Sequence, residues 1–178
     1  MKRIIWVYGI IAGLIVGGWL FVATAIIGHE RIENGMFLGY ASMVLAFSMI
    51  FVAVKAYRDK HLDGTISFGK AFRIGLLITL IASTIYVLTW ELSFHYFVPD
   101  YMEKYTEKTI EDLKTSGTDQ ATIDKQVTEM KSFGEMYKNP LIRLGFSYME
   151  ILPVGLLISL IVALILKRKP GSVSSVPA

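Results

Sequence analysis

Six side chains able to do chemistry lie in two apolar stretches: Thr84, Glu91 and His95 in one, Arg143, Ser147 and Glu150 in the other. Each trio recurs at helical spacing, so each shares one helix face. Glu91 and His95, one turn apart, have the spacing of a metal-ligating pair. The paired histidines of a metalloprotease helix are missing, however, and the chain holds no cysteine, which leaves no metal site and no thiol chemistry to expect. No nucleophile elbow surrounds any serine. The glycines at Gly69 and Gly75 lack the spacing and the preceding strand of a phosphate loop. No catalytic residue and no cofactor are therefore expected. Two glutamates and an arginine in apolar surroundings carry a different meaning. An unpaired carboxylate in lipid is costly, so Glu91 and Glu150 are expected to face a neighbouring helix and find a partner or water. One reading is a structural lock in which Arg143 compensates both glutamates; the other is a site that handles protons, ions or a small solute.

The elements that would position this cluster are membrane spans. Of the 178 residues 53% are hydrophobic and 19% charged, and the mean hydropathy is +0.51. These values depart from the soluble average towards membrane proteins. A helix needs roughly 20 apolar residues to cross a bilayer. Four runs meet that length, at about 4–27, 36–54, 74–98 and 141–166. None alternates with period two, so they read as helices, the backbone solution that lipid permits for such runs. The fold class expected is all-α: an integral membrane protein with four transmembrane helices. The first run resembles a secretory signal, with Lys2 and Arg3 before it and Ala23-Thr24-Ala25 near its end. Its length and the fourfold spacing of Gly9, Gly13 and Gly17 favour a retained helix, because small residues at that spacing let a second helix approach closely.

Charge sets the expected orientation. Lys2 and Arg3, then Lys55, Arg58, Lys60, Lys70 and Arg73, then Lys167, Arg168 and Lys169 all fall on one side of the four spans. The first connection, "GHERIENG", offers only Arg31, between Glu30 and Glu33. The positive-inside rule puts both termini in the cytoplasm and residues 99–139 outside. A basic balance (pI ≈ 9.0) can signal nucleic acid, but these cations are not gathered into one patch with interleaved aromatics, so no nucleic-acid partner is expected.

The 99–139 segment reads as a helical hairpin. Pro99 suits a first helical position, with Asp100 and Glu103 in the first turn. Gly117 can end that arm in the left-handed conformation, and Thr118 or Asp119 can cap the next. The second arm has Ile123, Val127, Met130 and Tyr137 at helical spacing; the first has a weaker stripe of Tyr101, Tyr105 and Leu113. Asn139-Pro140 reads as a cap and first residue of the fourth span. Nine acids face six lysines in this segment, and their alternation suits a solvated helix surface. On the other side, Asp63-Gly64 marks a turn, and Thr65 or Ser67 can cap a helix that brings Lys70 and Arg73 to the level of anionic headgroups. Residues 1–169 form one membrane domain in this reading, and 170–178 a small, polar, disordered cytoplasmic tail.

If the hairpin makes the third and fourth spans antiparallel neighbours, depth can be estimated from rise. Glu91 lies roughly 10 Å below the outer boundary at Val98, and Glu150 roughly 15 Å below Pro140. His95 would then be level with Arg143, and Glu91 beside Glu150. His29, near the same surface, would reach the cluster only if the first connection folded over the bundle.

The blocks "DGTISFGKAFRIGLLITLIASTIYVL", "VPDYMEKY" and "MYKNPLIRLGFSYMEILPVGLLISLIVALILKRK", in that order, resemble the DUF4199 family, small inner-membrane proteins found mainly in Bacteroidota. The likeness reaches to about Lys169. It implies a bacterial four-helix membrane protein and brings no activity, cofactor or functional residue with it. The function expected is that of a multi-pass inner-membrane protein that is not an enzyme: an accessory, assembly or interaction subunit whose contacts are the bilayer and either further copies of itself or another membrane protein. The glycine-lined first helix and the projecting hairpin offer the surfaces for it. Proton, ion or small-solute handling through the polar cluster is the alternative.

Overall fold

The computed structural model describes residues 1–27 and 35–168. The first connection with Arg31 and His29, Lys169 and the tail from Pro170 lie outside the described residues. Six α-helices follow in order: α1 (Lys2–Phe21), α2 (Gly35–His61), α3 (Phe68–Tyr96), α4 (Tyr101–Thr115), α5 (Gln120–Tyr137) and α6 (Pro140–Leu166). Val22–Ile27 prolongs α1 as a π-helical segment. Four helices, Lys2–Ile27, Gly35–His61, Phe68–Tyr96 and Pro140–Leu166, are long and apolar enough to span a membrane. The chain is all-α, as its hydropathy pattern predicts.

The helix ends follow local chemistry. Ser67 caps α3, its Oγ accepting from the Lys70 N–H at 3.4 Å, and Asp119 caps α5 by accepting from Thr122 N–H at 3.0 Å. Asn139 caps α6 through the Leu141 N–H at 3.0 Å, with Pro140 at the first helical position. Gly117 takes φ 75° between α4 and α5, the left-handed value that a helix-ending glycine adopts at little cost. Three boundaries differ from the sequence reading. α2 runs on past Val54 to His61, and Arg58 and Lys60 supply cations to its last turn, where the helix dipole favours them. α3 stops at Tyr96 rather than Val98. Pro99 does not begin α4; the helix starts at Tyr101, with Asp100 at the N-cap position and no side-chain cap bond from it.

The four spans alternate in direction. Gly9, Gly13 and Gly17 of α1 lie against Ile81, Ile85 and Thr89 of α3, in steps that run the same way, so these helices are parallel. Thr79 meets Ser159, and Glu91 meets Arg143, in steps that run oppositely, so α3 and α6 are antiparallel. The start of α1 and the end of α6 therefore share one end of the bundle. A Cβ on Gly9 would come 2.9 Å from Ile81 Cβ, and one on Gly13 the same distance from Ile85 Cβ. Only glycine lets α1 and α3 approach so closely. The glycine stripe is thus consumed inside the bundle and offers no surface to an outside partner.

The core follows from these seams: Val16, Met43, Phe47, Ile50, Ile74, Ile78, Val87 and Ile151 are all buried, whereas Leu14, Met36, Leu88 and Leu157 point outward. Outward leucines cost nothing in a hydrocarbon solvent, which is why the apolar runs show little amphipathic contrast. α4 and α5 stand beyond the spans as a hairpin. Ile123 is its fully buried aliphatic residue, and Gly134 packs near Met102 where the two arms approach. Tyr105 is instead 47% exposed, lying over the Tyr101 ring, so the stripe expected on the first arm is not the one buried.

Candidate functional site at the base of the hairpin

The centre of the α3 seam is a run of buried polar and aromatic residues at helical spacing: Thr79, Ser83, Tyr86, Trp90 and Ser93. Four of the five find a different neighbour. Thr79 pairs with Ser159 of α6 at 3.2 Å. Tyr86 donates to Glu150 Oε2 at 3.2 Å, and Trp90 Nε1 donates to the Tyr137 hydroxyl at 2.8 Å. Ser93 Oγ lies 3.0 Å from Thr24 Oγ1 in the π-helical segment. Ser83 Oγ is buried without a hydrogen-bond partner among the described residues.

Beside this stripe, Arg143 joins Glu91. Its Nε donates to Glu91 Oε1 at 2.8 Å and its Nη2 to Oε2 at 2.6 Å, a two-pronged fit between planar groups. The third guanidinium nitrogen, Nη1, donates to the Tyr137 carbonyl at 3.1 Å, the last residue of α5. The Phe94 ring lies under the guanidinium carbon at 4.1 Å, within cation–π range. The side chains of Arg143 and Glu91 are 9% and 22% exposed. One arginine thus contacts α3, α5 and its own helix, and every nitrogen of its fork is committed. Ser147, one turn on, donates back to the Arg143 carbonyl at 2.9 Å and stays within α6.

Aromatic rings fill the space around the pair. Trp90 meets Tyr101 edge-on at 5.0 Å, Phe94 meets Tyr137 at 5.7 Å, and Phe133 meets Phe146 at 5.0 Å. These contacts link α3, α4, α5 and α6 at one level. Burial pushes the Tyr137 hydroxyl up to about 12, against the opposing pull of its Trp90 hydrogen bond and the Arg143 charge, so the ring is neutral at any physiological pH. Burial raises Tyr101 as well.

The six residues singled out in the sequence do not form one cluster. Glu91 and Arg143 come together; Glu150 does not join them and sits instead with Tyr86, one step deeper. Thr84 is exposed, 3.0 Å from the Tyr148 hydroxyl. His95 is exposed too, its ring edge-on to Tyr96 at 4.7 Å. The physical reason is rotation. The α3 seam passes through Trp90 and Ser93; His95 follows Ser93 by two residues, about 200° around the helix, and faces away. Arg143 bridges the remaining offset to Glu91 with its long side chain. Trp90, Phe94, Phe133, Tyr137 and Phe146 are the site residues that the charge-based search missed. Their signal was the crowding of aromatics in "TWELSFHYF", "FGEMY" and "GFSY" at the two ends of the hairpin.

Chemically, the junction is a closed network. Glu91 is paired with Arg143, and each of the three guanidinium nitrogens makes a hydrogen bond. Among the described residues no three His, Asp or Glu side chains converge as a metal-ligand set.

No curated protein and no solved structure matches the chain. Residues 7–168 match the family described as Protein of unknown function (DUF4199). With that match spanning all four membrane-length helices and the hairpin between them, the chain belongs to the DUF4199 family.

Proposed function

We propose that this protein is a non-enzymatic accessory or assembly subunit of a bacterial inner membrane, which holds a helical hairpin at a fixed attitude outside the bilayer for contact with a second membrane protein. The observation that carries this reading is the commitment of Arg143 to both Glu91 and the end of α5. A pair that ties the hairpin to the bundle with one bond from each guanidinium nitrogen serves position rather than turnover. The orientation rests on the ten cations that share one side of the spans, with both termini cytoplasmic and α4 and α5 outside. The proton- or ion-handling reading is less well supported, because its carboxylate at Glu91 is already held in an ion pair by Arg143.

Two experiments test it. Single cysteines at Ser116 and Ser67 should label from outside only at Ser116 in intact spheroplasts; the opposite pattern inverts the orientation. A photocross-linker at the exposed Glu129 of α5 should capture a second protein in native membranes. Recovery of monomer alone would remove the basis for a contact role. Proton flux through purified protein in liposomes, abolished by Glu91→Gln, would establish the ion-handling reading in its place.

A further inference from the structure

At the end of the bundle opposite the hairpin, the turn after α2 and the strand-like end of α6 are clamped together. Ile66 N–H donates to the Arg168 carbonyl at 3.1 Å, and Arg168 N–H returns the bond to Ile66 at 2.9 Å. Asp63 and Gly64, at φ 47° and 77°, fold the chain back so that this clamp can form. The clamp holds open a cleft of about 590 Å³, walled by Leu62, Ile66 and Phe68 on its apolar side and by Lys70, Lys167 and Arg168 on its polar side. Three cations that line one cleft repel each other, and none of them makes an ion pair with a described residue. Asp59, which is held by Arg58 at 2.7 Å and also feels the charge of Arg168, and Asp63 of the turn are not among the lining residues, and no carboxylate lines the cleft. The start of α3 adds its dipole in the same sense.

Such a cleft is short of one thing, an anion with an apolar attachment. It opens where α2 and α6 end and α3 begins, which is headgroup level for helices of spanning length. We propose that it binds the phosphate of an anionic phospholipid, with Lys70, Lys167 and Arg168 around the phosphate and Leu62 and Phe68 against the glycerol and upper acyl chain. This goes beyond the general attraction of basic loops to an anionic surface, because it assigns one lipid to one built cleft.

The test uses the full chain in a neutral detergent at about 0.15 M salt, where charges more than about 8 Å away are largely screened. Native mass spectrometry measures binding of short-chain phosphatidylglycerol, short-chain phosphatidylcholine and inorganic phosphate. Phosphatidylglycerol is expected to bind preferentially, and its affinity to fall about a hundredfold in Lys70→Gln/Lys167→Gln/Arg168→Gln. The control Lys2→Gln/Arg3→Gln/Lys60→Gln, which removes equal charge outside the cleft, should stay within about threefold of wild type. The single exposed variant Lys167→Gln should show an intermediate loss if the triple variant unfolds. Equal losses in cleft and control variants, or equal binding of the two lipids, would overturn the proposal. Inorganic phosphate that binds as tightly as phosphatidylglycerol would overturn the lipid as its source.

Discussion

Arg143 grips Glu91 with two nitrogens, at 2.8 and 2.6 Å, across 52 residues of sequence and the whole hairpin. Removing only the arginine strands a carboxylate in low-dielectric surroundings. Arg143→Ala is therefore expected to destabilise the bundle by about 3 kcal/mol, the lower end of the range for broken buried pairs, since Glu91 keeps some access to the outside. Glu91→Leu/Arg143→Met leaves no stranded charge and should cost much less. Thermal unfolding in detergent checks both. An Arg143→Ala protein as stable as wild type would show that the pair contributes nothing.

Tyr137 accepts from Trp90 at 2.8 Å at a buried position between α3 and α5. Tyr137→Phe keeps the ring packing and strands the indole N–H, so a loss of about 1–3 kcal/mol is expected. Trp90→Phe/Tyr137→Phe should lose less than the sum of its single variants, because the two residues share one bond. Additive losses in the double-mutant cycle would mean that the bond is not formed.

Much of this arrangement is legible in the amino-acid sequence, and the boundary of what is legible has physical causes. Span length and cap chemistry depend on neighbours in sequence, so Asn139 caps α6 as the sequence reads, and of the paired candidates Thr65 or Ser67 and Thr118 or Asp119 the caps are Ser67 and Asp119. The pairing of Glu91 with a partner also followed, because a carboxylate at that depth needs one. So did Arg143 as a candidate partner, but not the exclusion of Glu150 and His95 from the pair. That depends on the rotation of α3 about its axis, and in lipid a helix exposes leucine as readily as it buries it, so hydropathy does not mark the seam. The small and aromatic residues mark it instead: Gly9, Gly13 and Gly17 on one side, Trp90 and Tyr137 on the other.

The glycine seam gives a sharp contrast within one helix. A side chain at Gly13 would collide with Ile85, whereas one at Gly18 would meet nothing within 4 Å. Gly13→Val should separate α1 from α3 and lower the unfolding temperature markedly, and Gly18→Val should leave it almost unchanged, for overpacking costs typically about 1–3 kcal/mol. Equal effects at the two positions would contradict the close α1–α3 contact.

Ser83 is the odd member of the polar stripe, a buried hydroxyl without a partner among the described residues. Replacing an unsatisfied hydroxyl removes a desolvation cost. Ser83→Ala is expected to be neutral or stabilising by up to about 1 kcal/mol, unlike Thr79→Val, which deprives Ser159 of a neighbour at 3.2 Å. A clear loss in Ser83→Ala would indicate a partner in the membrane, such as a bound water.

In the proposed role, the Arg143–Glu91 pair fixes the hairpin for a partner. Photocross-linking from Glu129 in native membranes, repeated in lock variants that still insert and fold, measures that directly. The wild type should give one adduct of defined mass, Arg143→Ala should lose most of it, and Glu91→Leu/Arg143→Met should restore it. A wild type that yields only monomer, or an adduct indifferent to Arg143→Ala, would contradict the claim that the junction positions the hairpin for contact.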